Sequence, residues 1–169
     1  REPMGVDTLQ PRLSWVLRSE RRGQRQTACR VQVASSEDRL AAGTPDLWDS
    51  GRVESDRSIH VVYEGRPPAS GQTCYWRVKA WGVEGAESPW SDVARWEMGL
   101  LQPDDWDGAV WINDGKSNPK RDEDFYEDDP APLMRRTFRI EKPVRRARLY
   151  VSGLGYYEAW LNGRRVGDH

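Results

Sequence analysis

Histidine and cysteine are almost missing from this chain of 169 residues: only His60, His169, Cys29 and Cys74 occur. Zinc and related metals draw on clusters of those side chains, and no paired-Cys or Cys–His spacing of that kind is present, so neither a metal site nor a cofactor is expected. Two thiols do not make a disulfide framework. Both fall on inward phases of separate strands, which leaves a cross-link geometrically open but favours two buried thiols packing as small hydrophobes. Apolar runs stop after a few residues, far short of the roughly 20 that a membrane-spanning helix needs. An excess of one charge is lacking too. The 26 Lys and Arg against 27 Asp and Glu leave a formal −1, a balance that attracts neither nucleic acid nor an anionic membrane. No leader pattern is visible, although the chain begins at Arg1; a cytoplasmic location is the expectation, with secretion left open.

Tryptophan is plentiful by contrast, with nine copies beside six Tyr, and chains that stay disordered lack such aromatics. Large rings carry much buried area and favour sheets, so packing is the favoured reading for any one of them; stacking on sugar rings is the other. Arg18, Arg21, Arg22 and Arg25 form a basic cluster broken by Glu20 and Gly23. An opposite cluster, residues 122–129, holds six carboxylates around Phe125 and Tyr126. Each reads as a solvated loop, and no aromatic-plus-basic surface accompanies the arginines as a nucleic-acid site would require.

Alternation of apolar and polar residues, the signature of half-buried strands, runs through the first hundred residues. Leu13, Trp15 and Leu17 share one phase. Cys29, Val31 and Val33 share another, with Arg30 and Gln32 opposite. Ser35-Ser-Glu-Asp38 is suited to cap a short helical turn reaching Ala42. Residues 47–53 and 58–63 read as short strands, residues 74–81 as a longer one with Cys74, Trp76, Val78 and Ala80 inward, and residues 93–98 as the closing strand. About seven short strands with regular turn signals predict a two-sheet sandwich.

Residues 101–131 read as a linker or long loop rich in Asp, Pro and Gly, with a short strand over Ala109–Ile112. Beyond it, residues 132–140 and 144–151 alternate like strands. The end of the chain, Leu149 to Gly167, reads as strand, glycine-rich bend, strand, Asn162-Gly163 turn and the start of another strand; Asn-Gly suits a two-residue hairpin because both central residues need positive φ. Little sequence remains to supply partner strands. The expectation is therefore a larger protein cut inside a domain, free to self-associate through its unfinished sheet.

The first half resembles a fibronectin type III module. The resemblance is carried by Trp15, by Arg77-Val-Lys-Ala80 and by Ser88-Pro-Trp-Ser91, and it implies that Trp90 stacks on arginines such as Arg77. That family often has a Tyr where Cys74 stands, with a hydroxyl that ties down a corner; here Tyr75 is next door on the opposite phase. The second half is similar to the N-terminal β-sandwich of bacterial α-L-rhamnosidases, through Ala131-Pro-Leu-Met-Arg-Arg-Thr-Phe138 and the run from Lys142 to Gly167. In those enzymes a fibronectin-like module precedes the sandwich, which fits Leu13-Ser-Trp15, Leu47-Trp-Asp-Ser-Gly51 and Tyr75 to Trp81. The fold class expected is all-β: a fibronectin type III or immunoglobulin-like sandwich over 1–100, the linker over 101–131, and the start of a jelly-roll-like sandwich over 132–169.

The resemblance implies a parent glycoside hydrolase that releases terminal α-L-rhamnose with inversion, its catalytic (α/α)₆ barrel lying after these residues and acting as the partner of this region. Inverting hydrolysis needs two carboxyl groups about 6.5–9.5 Å apart. No motif here carries such a pair: Glu54 with Asp56, and Asp122, Glu123 and Asp124, sit in loops that read as solvated. No catalytic residue is assigned. The candidate contacts to a rhamnose-containing carbohydrate are Trp111, Tyr156, Tyr157 and Trp160. Tyr156 and Tyr157 face opposite ways in a strand, while Tyr156, Glu158 and Trp160 share a phase; that shared face is read first as core or interface and second as a stacking platform. The alternative functions are a stand-alone carbohydrate-binding module and a fibronectin-type interaction module.

Overall fold

The computed structural model describes residues 2–116, 120–126 and 130–167. The chain divides into two compact units, Arg1–Trp111 and Ile112–His169. It is almost entirely β. The first unit contains β1 (Arg12–Leu13), β2 (Gln26–Ala34), the short helix α1 (Glu37–Ala41), β3 (Trp48–Asp49), β4 (Val53–Glu54), β5 (Val61–Val62), β6 (Thr73–Gly82) and β7 (Ala94–Glu97), followed by a 3₁₀ turn, Pro103–Trp106. β1 and β5 form a small antiparallel sheet. The larger sheet has the order β3-β2-β6-β7, with β4 also on β2.

Alternation explains β2. Cys29, Val31 and Val33 are buried on the core face. The opposite phase holds a surprise, because Gln32 is buried as well. It accepts from Arg77 Nη2 at 2.8 Å and donates to Asp49 Oδ2 at 2.9 Å, so a polar ladder covers the outer face and satisfies the buried amide. Gln26 is another buried amide on this strand. It accepts from Trp15 Nε1 at 2.9 Å and donates to the Ser55 and Arg57 carbonyls, both at 2.9 Å. Trp15 is thereby anchored by its polar edge and only half-buried, and Leu17 is exposed. The strand expected over Pro11–Leu17 therefore ends after Leu13. Trp76, expected inward, packs against the core while remaining partly accessible.

Serines complete strand edges where regular pairing stops. Between β3 and β4, Ser50 N–H donates to the Val31 carbonyl at 3.0 Å and Ser50 Oγ accepts from Val31 N–H at 2.9 Å. Just ahead of β7 the same device appears twice against β6. Ser88 bonds Ala80, and Ser91 bonds Val78, each donating through its backbone at 2.8 Å and accepting on its hydroxyl at 3.0 and 3.1 Å. The Ser-Pro-Trp-Ser run is thus a substitute strand. It holds Trp90 over the outer face, with Arg77 Cζ at 4.4 Å and Lys79 Nζ at 5.0 Å from the ring centroid.

The core joins Leu13, Cys29, Val31, Val33, Leu47, Tyr63, Cys74, Val78, Trp96 and Met98. Tyr63 stands at its centre, edge-on to Trp48 at 5.4 Å and to Trp96 at 5.8 Å. Its hydroxyl donates to the Arg66 carbonyl at 2.6 Å, and burial pushes its pKa up to about 12. This is a tyrosine-to-backbone tie at a position the sequence pattern did not single out, while Tyr75 meets Arg95 instead. Gly65 is required beside it: a Cβ there would lie 2.5 Å from the Leu47 carbonyl oxygen and 2.6 Å from the Tyr63 hydroxyl. Both thiols are buried and free. Burial raises the pKa of Cys29, and that of Cys74 to about 12.

Helix α1 forms as its cap predicts. Ser36 Oγ accepts from Arg39 N–H, Glu37 and Asp38 fill the first turn, and Leu40 is fully buried.

In the second unit the described strands are β8 (Ala159–Leu161) and β9 (Arg164–Val166). Asn162 and Gly163 have φ of 50° and 75°, the two positive values that a tight hairpin turn demands. Residues 132–140 and 144–151, expected as strands, belong to no ladder, and Leu133, Phe138 and Leu149 are exposed. A strand exists only with a neighbouring strand to accept and donate its backbone bonds, and among the described residues these segments join no sheet. Ala109–Ile112 joins no ladder either; Ala109 N–H instead closes a turn on the Trp106 carbonyl at 2.9 Å. Asp122–Tyr126 is a 3₁₀ turn; residues 127–129 of the acidic cluster lie outside the described residues.

Candidate functional site

The β8–β9 hairpin builds the arrangement with most chemical potential. Its register places Trp160 opposite Arg165. A two-residue period puts Tyr156 and Glu158 on the phase of Trp160. Glu158 is the hub: Tyr156 Oη donates to Oε1 at 3.0 Å, Trp160 Nε1 donates to Oε2 at 3.2 Å, and Arg165 Nη1 lies 3.7 Å from Oε1. The Tyr156 hydrogen bond, then that of Trp160, then the Arg165 charge hold the Glu158 carboxyl below the usual range. Both rings stay open to solvent, Tyr156 at 83% and Trp160 at 60% exposure. The face therefore offers two aromatic surfaces flanking an ionised carboxylate and a guanidinium. Such a surface can stack on the C–H face of a ring and exchange hydrogen bonds with hydroxyl groups.

Of the four residues singled out from the sequence, the structure brings Tyr156 and Trp160 together through Glu158. Tyr157 takes the other phase and packs over Gly153, where an added Cβ would meet its Cδ1 at 2.6 Å. Trp111 closes the first unit and is exposed. Glu158 and Arg165 were not among the candidates. The 156/158/160 spacing was legible, but the role of Arg165 depends on the hairpin register.

The carboxylates considered for catalysis are exposed wherever their side chains are described. Glu54 is exposed and pairs with Arg52 at 3.0 Å. Asp122 and Glu123 are exposed. Among the described residues no group of three or more His, Cys, Asp or Glu is placed to hold a metal ion, and no helix is long and apolar enough to cross a membrane.

Residues 1–102 match the Rha78A-like N-terminal immunoglobulin domain, and residues 142–169 match the α-L-rhamnosidase N-terminal domain. The chain belongs to the family of Rha78A-like N-terminal immunoglobulin domains. It is 36% identical over 99% of its length to an α-L-rhamnosidase of Formosa agariphila, of which it covers 19%. Two solved structures share its fold. The Streptomyces avermitilis α-L-rhamnosidase complexed with L-rhamnose superposes with a TM-score of 0.59 at 43% identity, over 62% of this chain and 10% of that one. The α-L-rhamnosidase from Dictyoglumus thermophilum gives 0.60 at 35% identity, over 63% and 12%. The chain thus spans less than a fifth of the relatives' length and corresponds to their N-terminal, accessory portion. The immunoglobulin-like sandwich of its first unit is the family's fold.

Proposed function

We propose that the protein carrying this region hydrolyses terminal α-linked L-rhamnose, and that the region itself is a non-catalytic accessory module of that enzyme. The observation that carries the reading is the 36% identity to an α-L-rhamnosidase over 99% of this chain. The exposed carboxylates described above agree with it, because a general acid works from apolar surroundings. The partner of the region is then the remainder of the enzyme. Residues 1–100 form one folding module, 101–131 a linker, and 132–169 belong to a second sandwich. The test is release of nitrophenol from an aryl α-L-rhamnoside. The 169-residue chain should match a no-protein control, and turnover abolished by mutating one of its own carboxylates would falsify the accessory reading.

A finer reading concerns the hairpin face. Tyr156 and Trp160, flanking Glu158 and Arg165, contact a rhamnose-containing carbohydrate; Tyr157, on the other phase, and Trp111, in the first unit, are separate candidates for such a contact. The shared Glu158 hub supports it, because it holds two exposed rings in fixed relation to a hydroxyl-binding carboxylate. Titration with L-rhamnose should shift the Trp160 indole resonance and leave that of Trp96 unmoved. Equal insensitivity of both would remove the sugar from this face.

A further inference from the structure

The chain leaves the immunoglobulin-like unit under close restraint. Met98 N–H donates to the Gln72 carbonyl at 2.9 Å, Gly71 N–H to the Gly99 carbonyl at 3.1 Å, and Gly99 N–H to the Val6 carbonyl at 2.8 Å. Leu101 then packs against the core. Immediately afterwards one carboxylate oxygen collects three donors. Asp105 Oδ2 accepts from Leu101 N–H at 3.1 Å, from Gln102 N–H at 2.8 Å and from the Ser70 hydroxyl. Leu101 N–H also reaches Ser70 Oγ at 3.0 Å.

A turn alone would need only the Gln102 bond. The Ser70 hydroxyl belongs to the loop ahead of β6, thirty-five residues away in sequence. One oxygen therefore ties the outgoing turn to the body of the unit, and charge-assisted bonds of this kind are about twice as strong as neutral ones.

We propose that Asp105 and Ser70 form a clasp that fixes the direction in which the chain leaves the immunoglobulin-like unit. Asp105 is thus a positioning residue for residues 107–111, the last of this unit, and the inference stands independently of what the parent enzyme hydrolyses. Without the clasp, the turn at Pro103–Trp106 keeps its proline but loses its attachment to the sheet end.

The test uses the whole 169-residue chain and NMR. Asp105→Ala should speed amide exchange at Leu101 and Gln102 about tenfold or more and raise the fast backbone motion of residues 103–111. Val31 and Val78 should stay as protected as before. Asp105→Asn, which retains an acceptor, should recover part of the protection, and Ser70→Ala should reproduce part of the loss. Unchanged exchange and relaxation at residues 101–111 in Asp105→Ala would overturn the clasp. An equal rise at Val31 and Val78 would also overturn it, because Asp105 would then support the whole fold rather than the exit of the chain.

Discussion

Asp49 grips Arg30 with both carboxylate oxygens: Nε reaches Oδ1 at 2.9 Å and Nη2 reaches Oδ2 at 2.7 Å. The pair joins β2 to β3 across the outer face of the large sheet, and Asp49 also accepts from Gln32. Its carboxyl is lowered to about 2, first by the Arg30 hydrogen bond. A depressed carboxylate contributes stability above its unfolded value, about 3.9, and that contribution fades as pH falls through the folded value. Asp49→Asn should therefore cost about 1 kcal/mol near neutrality, and the gap from the parent should close between about pH 4 and pH 2. Urea melts across that range check it; a gap that ignores pH would show that the charge does not matter.

Tyr63→Phe isolates the buried hydroxyl. The ring still fills the core between Trp48 and Trp96, but the Arg66 carbonyl loses a donor at 2.6 Å. A loss of about 1–2 kcal/mol is expected. Gly65→Ala should cost a similar amount or more, since its Cβ would collide with the Leu47 backbone. Thermal melts of the two variants would reveal either position as tolerant if neither moved.

Core truncation should follow depth. Trp96 is buried, whereas Trp15 and Trp76 are partly accessible. Trp96→Ala should cost about 3–5 kcal/mol, and Trp15→Ala and Trp76→Ala less. Equal losses at all three in denaturant titrations would contradict this ranking.

The thiols offer a readout of the same core. Cys29 and Cys74 are buried and raised in pKa, and thiolate is the reactive form. Neither should react with a disulfide reagent at pH 8 until denaturant opens the sandwich. Rapid modification of the native chain would place one of them at the surface.

Much of the first unit was legible. The phases of β2 and β6 and the Ser36 cap follow from local alternation or short spacing, and the Trp90–Arg77 stack is what the fibronectin type III resemblance implied. What escaped depended on distant partners. Gln32 looked outward by alternation, and only Arg77 and Asp49 reveal it as buried. Tyr63 had no local signal because Arg66, Trp48 and Trp96 meet around it only after folding. Glu158 stood on the right phase, yet its hub needs Arg165 brought across by the Asn162-Gly163 turn. The alternation over residues 132–140 and 144–151 was read as two strands, but a pattern states what a segment buries when paired and does not supply the neighbour.

That difference sets the last prediction. The β2–β6 ladder runs from Gln26 opposite Gly82 to Ala34 opposite Tyr75, with core packing on one face and the Asp49–Arg77 ladder on the other. Opening it requires opening the unit, so its amides should exchange near the global unfolding rate. Residues 132–151 have strand-like side chains without ladder partners among the described residues. Their amides should exchange orders of magnitude faster than those of Arg77 to Trp81 in dilute solution. Raising the protein concentration should protect them if unpaired edges recruit second copies. Sedimentation run alongside hydrogen exchange separates the cases. Strong protection of residues 132–151 in a demonstrated monomer would mean that this segment already has its partners within the chain.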